Sequence, residues 1–378
     1  MASEQTRVSR GAASASVPAR ISLFVSVTWH CNLSCTYCFV EANRGERERR
    51  QMSRETAARL VDAVEPRIPQ GGSLHVHVYG GEPLTNLPAI RAMVERAVRR
   101  PPGRVTFGIT TNGTLGTAEA LEVLDAGRFD VSLSIDGPAE VHDGCRRTID
   151  GQPTHARTLE FLQQIRRATR CTVRGSSVVR PGWRLADACR YLHGLGVDRF
   201  KAQVVRVPPG SPFALSEQER AWYLADLERA AEGVVEALEA GRPPEDGRFT
   251  PRVLQLLAGI AERPAFCNVG ETTFGVTPAG FVVPCILIHP VDRVLGHITD
   301  DPRAWMLEGA RWRASRRLRD ECRECRHRGL CGGGCPAILP VCGAGECDFI
   351  RKECDMAVTI FERFRSQPQT LLALGGIQ

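Results

Sequence analysis

Apolar residues along the first half of the chain switch repeatedly between strand-like runs and helix-like spacing. Ile21–Thr28 reads as a strand, and Ser53–Val64 as an amphipathic helix with Ser53 as its N-cap and Ala57, Leu60, Val61 and Val64 on one face. The same alternation predicts strands at Ser73–Tyr79, Arg104–Thr110, Val131–Ile135, Cys171–Val179 and Arg199–Val207. Between them it predicts helices at Leu87–Arg100, Ala118–Gly127, His155–Thr169 and Leu185–Gly194. Strands spaced by helices of this length imply parallel βαβ units, whose chemistry collects where the strands end. Ser216–Gly241 reads as a long helix opened by a Ser216/Glu219 capping box and stopped by Gly241. Arg242–Asp246 and a short helical connector follow. From about Pro264 the chain turns Gly- and Cys-rich, with short strand signals at Thr273–Thr277 and Phe281–Val283. The expected organisation is a tail over 1–20, a core over 21–215, a helical bridge over 216–263, a Cys-rich domain over 264–360 and a C-terminal tail over 361–378.

Composition narrows the class of protein. The 378 residues are 43% hydrophobic, enough for a substantial core. No apolar stretch approaches the ~20 residues that span a bilayer. Met1–Arg20 has no continuous apolar segment, which disfavours a signal peptide and points to the cytoplasm. In that compartment an odd fifteen cysteines read as reduced thiols and metal ligands rather than as a disulfide framework. The net charge of +6 is carried almost wholly by Arg, with Lys201 and Lys352 the only lysines. Those arginines are scattered among acids, so neither nucleic acid nor membrane is expected as a partner.

Ten of the cysteines fall into two constellations. The first, Cys31-x3-Cys35-x2-Cys38, directly follows the first predicted strand. Thiolates select Zn, Cu(I) or Fe–S clusters, and a structural zinc site wants four ligands. His30 could complete a Cys3His set, but beside Cys31 it is poorly placed to close a tetrahedron. Three thiolates can instead hold a cubane by three corners and leave one iron open. The second constellation runs Cys267-x12-Gly280-x4-Cys285, then Cys322-x2-Cys325-x5-Cys331-x3-Cys335, then Cys354. Two structural zinc sites are the competing reading there. Cys145, Cys171 and Cys189 read as ordinary buried thiols.

With Gly80-Gly81-Glu82-Pro83 after the second strand, Thr111-Asn112-Gly113-Thr114 after the third and Ser134-Ile135-Asp136-Gly137-Pro138 after the fourth, the first constellation resembles the radical S-adenosylmethionine (SAM) superfamily. The second resembles that superfamily's SPASM extension. The resemblance implies a partial (β/α)6 TIM-like barrel followed by a small Cys-rich SPASM domain. It implies three [4Fe–4S] clusters: one on Cys31, Cys35 and Cys38, beside Tyr37; one auxiliary cluster on Cys267, Cys285 and Cys335; and one on Cys322, Cys325, Cys331 and Cys354. SAM would chelate the open iron, with Gly80, Gly81, Glu82 and Pro83 meeting its amino group, Asn112 near its ribose and methionine, and Ser134 and Arg146 on its carboxylate. Arg174 is a further candidate for the carboxylate. One-electron cleavage of SAM would then yield a 5′-deoxyadenosyl radical that abstracts a substrate hydrogen.

The resemblance also implies a peptide or protein substrate, a reductant such as flavodoxin or ferredoxin, and a C–C or C–S cross-link made by net oxidation. Oxidation of an aminocyclitol or sugar alcohol is the alternative. Sulfatase maturation is disfavoured, because such members carry Asp immediately after the cysteine of the GX4C segment and here Ile286 follows Cys285. A non-enzymatic Fe–S carrier is disfavoured by the Gly80–Pro83 and carboxylate-binding motifs. The short segment before the first strand suggests that a leader peptide would bind the barrel, the SPASM domain or a separate protein. The first auxiliary cluster would either keep an open or substrate-ligated iron or be closed by Cys342, Cys347 or a non-cysteine group. His75, His77, Lys201 and Gln203 lie in predicted strands whose faces periodicity alone does not assign.

Overall fold

The computed structural model describes residues 17–38, 51–260, 262, 266–288, 293–343 and 345–375. Six parallel strands stand in sequence order: β1 (Arg20–Thr28), β2 (Ser73–Gly80), β3 (Val105–Thr111), β4 (Asp130–Ser134), β5 (Thr172–Val179) and β6 (Arg199–Val204). Between them run α1 (Arg54–Val64), α2 (Leu87–Ala97), α3 (Ala118–Gly127), α4 (His155–Ala168) and α5 (Leu185–Gly194). These are the parallel βαβ units anticipated from the alternation, in the partial (β/α)6 arrangement that the resemblance implied. Each strand buries alternate residues beneath the helices, such as Leu74, Val76 and Val78 of β2, and turns the others to the opposite face.

Two elements stop three residues earlier than expected, and proline accounts for both. The α2 helix ends at Ala97 rather than Arg100, ahead of Pro101 and Pro102, because the residue before a proline disfavours the helical conformation. The ladder of β6 ends at Val204 rather than Val207; Val205 makes one more bond to Val179 before Pro208 and Pro209 remove the donors.

The C-terminal half is built onto the barrel. Helix α6 (Glu217–Glu239) begins with the expected capping box, in which Ser216 and Glu219 exchange side-chain-to-backbone bonds. After α7 (Thr250–Leu257), strand β7 (Thr273–Val276) pairs in parallel with the free edge of β1, and β8 (Phe281–Val283) and β9 (Gly296–His297) continue antiparallel. The result is one sheet of nine strands, ordered β6-β5-β4-β3-β2-β1-β7-β8-β9. Phe274, Trp305 of α8 (Pro302–Ser315) and Phe349 belong to the same buried core as the barrel residues.

The tail expected from 361 onward is instead structured. Helix α9 (Glu346–Phe364) runs through that boundary, and Phe364, Leu371 and Leu374 are buried in the common core. The expected N-terminal tail lies mostly outside the described residues. Among the described residues no helix is long and apolar enough to cross a membrane.

Candidate functional site

The loop after β1 carries the first three thiols, and bonds on several sides hold it in place. At the end of β2, Gly81 N–H donates to Thr28 O at 3.0 Å and Glu82 N–H to His30 O at 2.8 Å. The glycines there serve close packing: a Cβ at Gly80 would stand 2.1 Å from Thr28 O, and one at Gly81 2.1 Å from His30 O. From the β3 end, Asn112 Nδ2 donates to Asn32 Oδ1 at 2.9 Å, and Asn32 Nδ2 to Thr114 Oγ1 at 2.8 Å. Beyond β4, Ser34 N–H reaches Arg147 O at 2.9 Å and Thr36 N–H reaches Cys145 O at 3.1 Å. The Tyr37 hydroxyl donates to Asp136, and the Arg146 guanidinium lies 5.5 Å from the Tyr37 ring centre.

These contacts bring Cys31, Cys35, Cys38, Tyr37, Gly80, Gly81, Glu82, Asn112, Ser134 and Arg146 to one cavity of about 400 Å³ at the C-terminal ends of the strands. Pro83 is buried behind it, opening a short turn of helix. Glu82 is 1% exposed. Its carboxylate accepts from Thr111 Oγ1 at 2.7 Å, Asn112 N–H at 2.7 Å and Leu84 N–H at 3.1 Å, so it braces the β2 and β3 ends together. Burial pushes its pKa up to about 7 despite those donors. Burial also opposes the Arg146 charge, but Asp136, Tyr37 and Cys35 outweigh it and hold that pKa well above the ordinary value. Asp136 was quoted within its motif without a role; here it is the anchor, with Oδ1 3.2 Å from Arg146 Nε.

Burial pushes the Cys31 thiol up to about 12, with the charges of Glu82, Cys35 and Cys38 adding to it, and raises Cys35 as well. Thiolates packed this closely repel one another in low dielectric, and a cationic centre among them reverses that cost. The donor set therefore fits an iron–sulfur cluster, and the large cavity beside it leaves room for a further ligand. Among the described residues no three His, Cys, Asp or Glu groups converge as a single bound ion would require; these thiols wall a space instead.

Arg174 departs from expectation. It sits low on β5, half-exposed and paired with Asp130 of β4, outside the cavity lining. Ser134 and Arg146 reach the cavity because they lie at and beyond the end of β4, whereas Arg174 is near the start of its strand. The strand faces that the sequence left open are now assigned. Gln203 lines the cavity, and Lys201 shares its face of β6; His75 and His77 share the face of β2 that carries Tyr79, another lining residue. His77 Nε2 is 2.8 Å from Thr110 Oγ1, and burial pushes the imidazole down to about 4, so it is neutral near pH 7. Tyr79, Val178 and Arg206 complete the wall and were not singled out by any motif.

The remaining thiols form two groups. Burial pushes Cys285 up to about 12, and the charges of neighbouring Cys335 and Cys267 add to it. Gly280, at φ +86°, makes the turn between β7 and β8 that presents Cys285, and a Cβ there would meet the His297 ring at 2.5 Å. Cys342 lies on the Cys335 side, next to Glu346. A small apolar cluster of Trp29, Val283 and Ile286, with Tyr79 packed on it, joins the first loop to this group. The second group walls a cavity of about 30 Å³ and comprises Cys322, Cys325, Cys331 and Cys347. Cys354, expected in this set, is fully buried and does not line that cavity; it lies beside Arg252 and Cys331. Of the thiols read as ordinary, Cys145 is buried and accepts from Arg180 Nε at 2.9 Å, while Cys171 and Cys189 are half-buried.

Residues 25–201 match the family model of the radical SAM superfamily, and residues 267–326 match the SPASM iron–sulfur cluster-binding domain. The PqqA peptide cyclase of Methylorubrum populi is 28% identical over 343 residues, covering 84% of this chain and 81% of that protein. The radical SAM cyclopropyl synthase TigE of Paramaledivibacter caminithermalis is 28% identical over 144 residues; that match covers 35% of this chain and 30% of TigE. Among solved structures, native anSMEcpe with bound AdoMet and Cp18Cys peptide superimposes with a TM-score of 0.74 at 20% identity, covering 96% of this chain and all of that one.

Proposed function

This chain belongs to the radical SAM superfamily and carries a SPASM domain, and from that premise we propose that it modifies a ribosomally made peptide or protein, forming a C–C or C–S cross-link by net oxidation. The observation that carries the reading is the pairing of one open thiol-walled cavity with two further thiol groups in the C-terminal half, which continues the barrel's sheet. Similarity to a peptide cyclase over 84% of the chain supports the choice of substrate class.

When bound, the [4Fe–4S] cluster and SAM supply reductive S–C5′ cleavage and, through it, hydrogen-atom abstraction from an unactivated C–H bond. In this reading Cys31, Cys35 and Cys38 hold the cluster by three corners. The Gly80–Gly81–Glu82 segment faces the SAM ammonium, and Asn112 stands beside it at the β3 end. Ser134 and Arg146 receive the carboxylate; Asp136 keeps the guanidinium charged and aimed, and an Arg–carboxylate pair suits that task. Tyr37 pins the cysteine loop to β4 through Asp136. Tyr79, Val178, Val204 and Val205 form a wall that excludes water and competing hydrogen donors. Neutral His77, with Lys201 and Gln203, faces the substrate side of the barrel and offers polar contacts there. The C-terminal thiols would hold auxiliary clusters, whose chemistry would be one-electron oxidation and reduction. A flavodoxin- or ferredoxin-type reductant delivers the initiating electron, and a separate protein can present the leader peptide.

The test is anaerobic reconstitution with iron and sulfide, then incubation with SAM and dithionite. Formation of 5′-deoxyadenosine supports the reading. No cleavage by protein that holds its iron sinks the radical assignment. A candidate precursor peptide that loses a pair of hydrogens, read by mass spectrometry, identifies the oxidation; hydrogen loss from an aminocyclitol instead would move the substrate class.

A further inference from the structure

Asp136 and Arg146 form an ion pair across the loop that follows β4, and that pair shapes one end of the main cavity. Asp136 lies beyond the last ladder bond of its strand, which Ile135 N–H makes to Ser176 O. Its backbone is nevertheless held on both sides. Ser177 Oγ donates to its carbonyl at 2.6 Å, and its own N–H donates to Nδ1 of His142 at 3.4 Å. His142 ends a single helical turn, Ala139–His142; it is 1% exposed and stands behind the cavity lining rather than in it.

The second ring nitrogen completes the link. Nε2 lies 3.1 Å from Thr154 Oγ1, and that hydroxyl donates to Arg146 O at 2.7 Å. The protons along this chain have one consistent arrangement. Asp136 N–H donates to Nδ1, so Nδ1 carries no proton; Nε2 carries it and donates to Thr154, whose own proton goes to Arg146 O. Burial, with the Arg146 charge adding to it, pushes the imidazole down to about 4, which keeps the ring in that neutral form near pH 7. The next residue sets Thr154 within reach: Asp143 Oδ1 accepts from the N–H groups of Thr154 at 2.8 Å and of His155 at 2.9 Å, at the start of α4. His142 O also accepts from Arg146 N–H at 2.8 Å. One buried residue therefore spans from the backbone of Asp136 to the backbone of Arg146. Without its ring the fully buried Asp136 N–H loses its acceptor, and the loop must shift to find another.

We infer that His142 is a positioning residue for the SAM carboxylate: bonded to Asp136 N–H on one side and to Thr154 on the other, it fixes how the Asp136 carboxylate meets the Arg146 guanidinium. The inference rests on the reading that Arg146 receives that carboxylate, and the experiment separates the two. The readout is the ratio of two dissociation constants, for SAM and for decarboxylated SAM, each measured by calorimetry on protein reconstituted with its iron. That ratio isolates the carboxylate contact, which a general loosening of the fold would not move selectively. His142→Phe keeps the bulk of the ring and removes both nitrogens. It should weaken SAM binding by roughly 10-fold and binding of decarboxylated SAM by less than about 2-fold, with the iron content unchanged. His142→Asn returns an acceptor near the place of Nδ1 and should recover part of the ratio. Thr154→Val breaks the chain at its other end with little change of volume, and it carries the test if His142→Phe is insoluble; a loss of roughly 3-fold in the ratio is expected. The His155 ring packs against His142 but bonds to Tyr191, so His155→Phe should leave the ratio as it is. An unchanged ratio in the soluble variants of His142 and Thr154 overturns the inference, as does an equal fall in His155→Phe. Unmodified protein that holds its iron and binds the two ligands alike instead removes the reading of Arg146 beneath it.

Discussion

Two groups of thiols in this molecule use the same ligand chemistry in different rooms. The first three line a cavity of about 400 Å³, shared with a buried carboxylate, a buried guanidinium and the ends of five strands. Four thiols of the second group, Cys322, Cys325, Cys331 and Cys347, wall about 30 Å³, with Arg319, Arg328 and Arg351 among their neighbours. The first has few thiols and much space; the second is crowded with thiols and has almost no space.

Removing one thiol from each group is the strongest way to break that comparison. Cys35→Ala should abolish 5′-deoxyadenosine formation, whereas Cys325→Ala should retain part of it while forming no modified product; chromatography of both products from the same reaction decides. Equal product from the Cys325 variant and the unmodified enzyme would remove the auxiliary clusters from the mechanism.

Gly81→Ala probes whether the open site depends on its clamp. The added Cβ would stand 2.1 Å from His30 O, so the cysteine loop must move off β2. The expected result is loss of roughly one cluster's iron with the auxiliary clusters retained, and an overpacking cost of about 1–3 kcal/mol in thermal unfolding. Retention of all the iron would show that the loop is held by its other contacts.

A finer test asks whether Arg146 serves the open site. Arg146→Lys keeps the charge but loses the planar fork, and loss of one charge-assisted bond, worth about 1.5–3 kcal/mol, should weaken SAM binding by roughly 10- to 100-fold in calorimetry. Arg174→Lys should leave SAM affinity unchanged, since Arg174 pairs with Asp130 away from the cavity.

The last test reads Glu82 through the stability of the iron-free protein. Its pKa is raised from 4.5 to about 7 by burial, so the folded chain binds this proton more tightly than the unfolded one. Stability of the iron-free protein should therefore fall as pH rises from about 4.5 toward 7 and level off above, by up to about 3 kcal/mol from this group. Glu82→Gln should flatten that slope in melting curves taken across the range. An unchanged slope would assign the pH dependence elsewhere.

Much of this was legible in the chain. Local periodicity found the strands because each one buries alternate residues under a helix, and the cysteine spacings found both thiol regions. What escaped is non-local or phase-blind. Nothing near Thr273 announces that β7 will pair with β1, so the Cys-rich region read as a separate domain rather than as a continuation of the barrel sheet. Arg146 and Arg174 look alike in sequence, and only their heights on the sheet separate them. Cys347 and Cys354 share one helical phase, so periodicity places both on the same face and leaves their position along the axis undecided.

The seam between β1 and β7 also sets a clock on synthesis. β1 emerges early, but the strand that covers its outer edge begins only at Thr273. At about 5–20 residues per second, that edge waits on the order of ten to fifty seconds on the ribosome with its N–H and C=O groups open to other chains. The exposed strand leads directly into the first cysteine loop. A truncation that ends before Thr273 would leave that edge permanently bare, and the barrel made alone should be prone to aggregate whether or not its own cluster has been loaded.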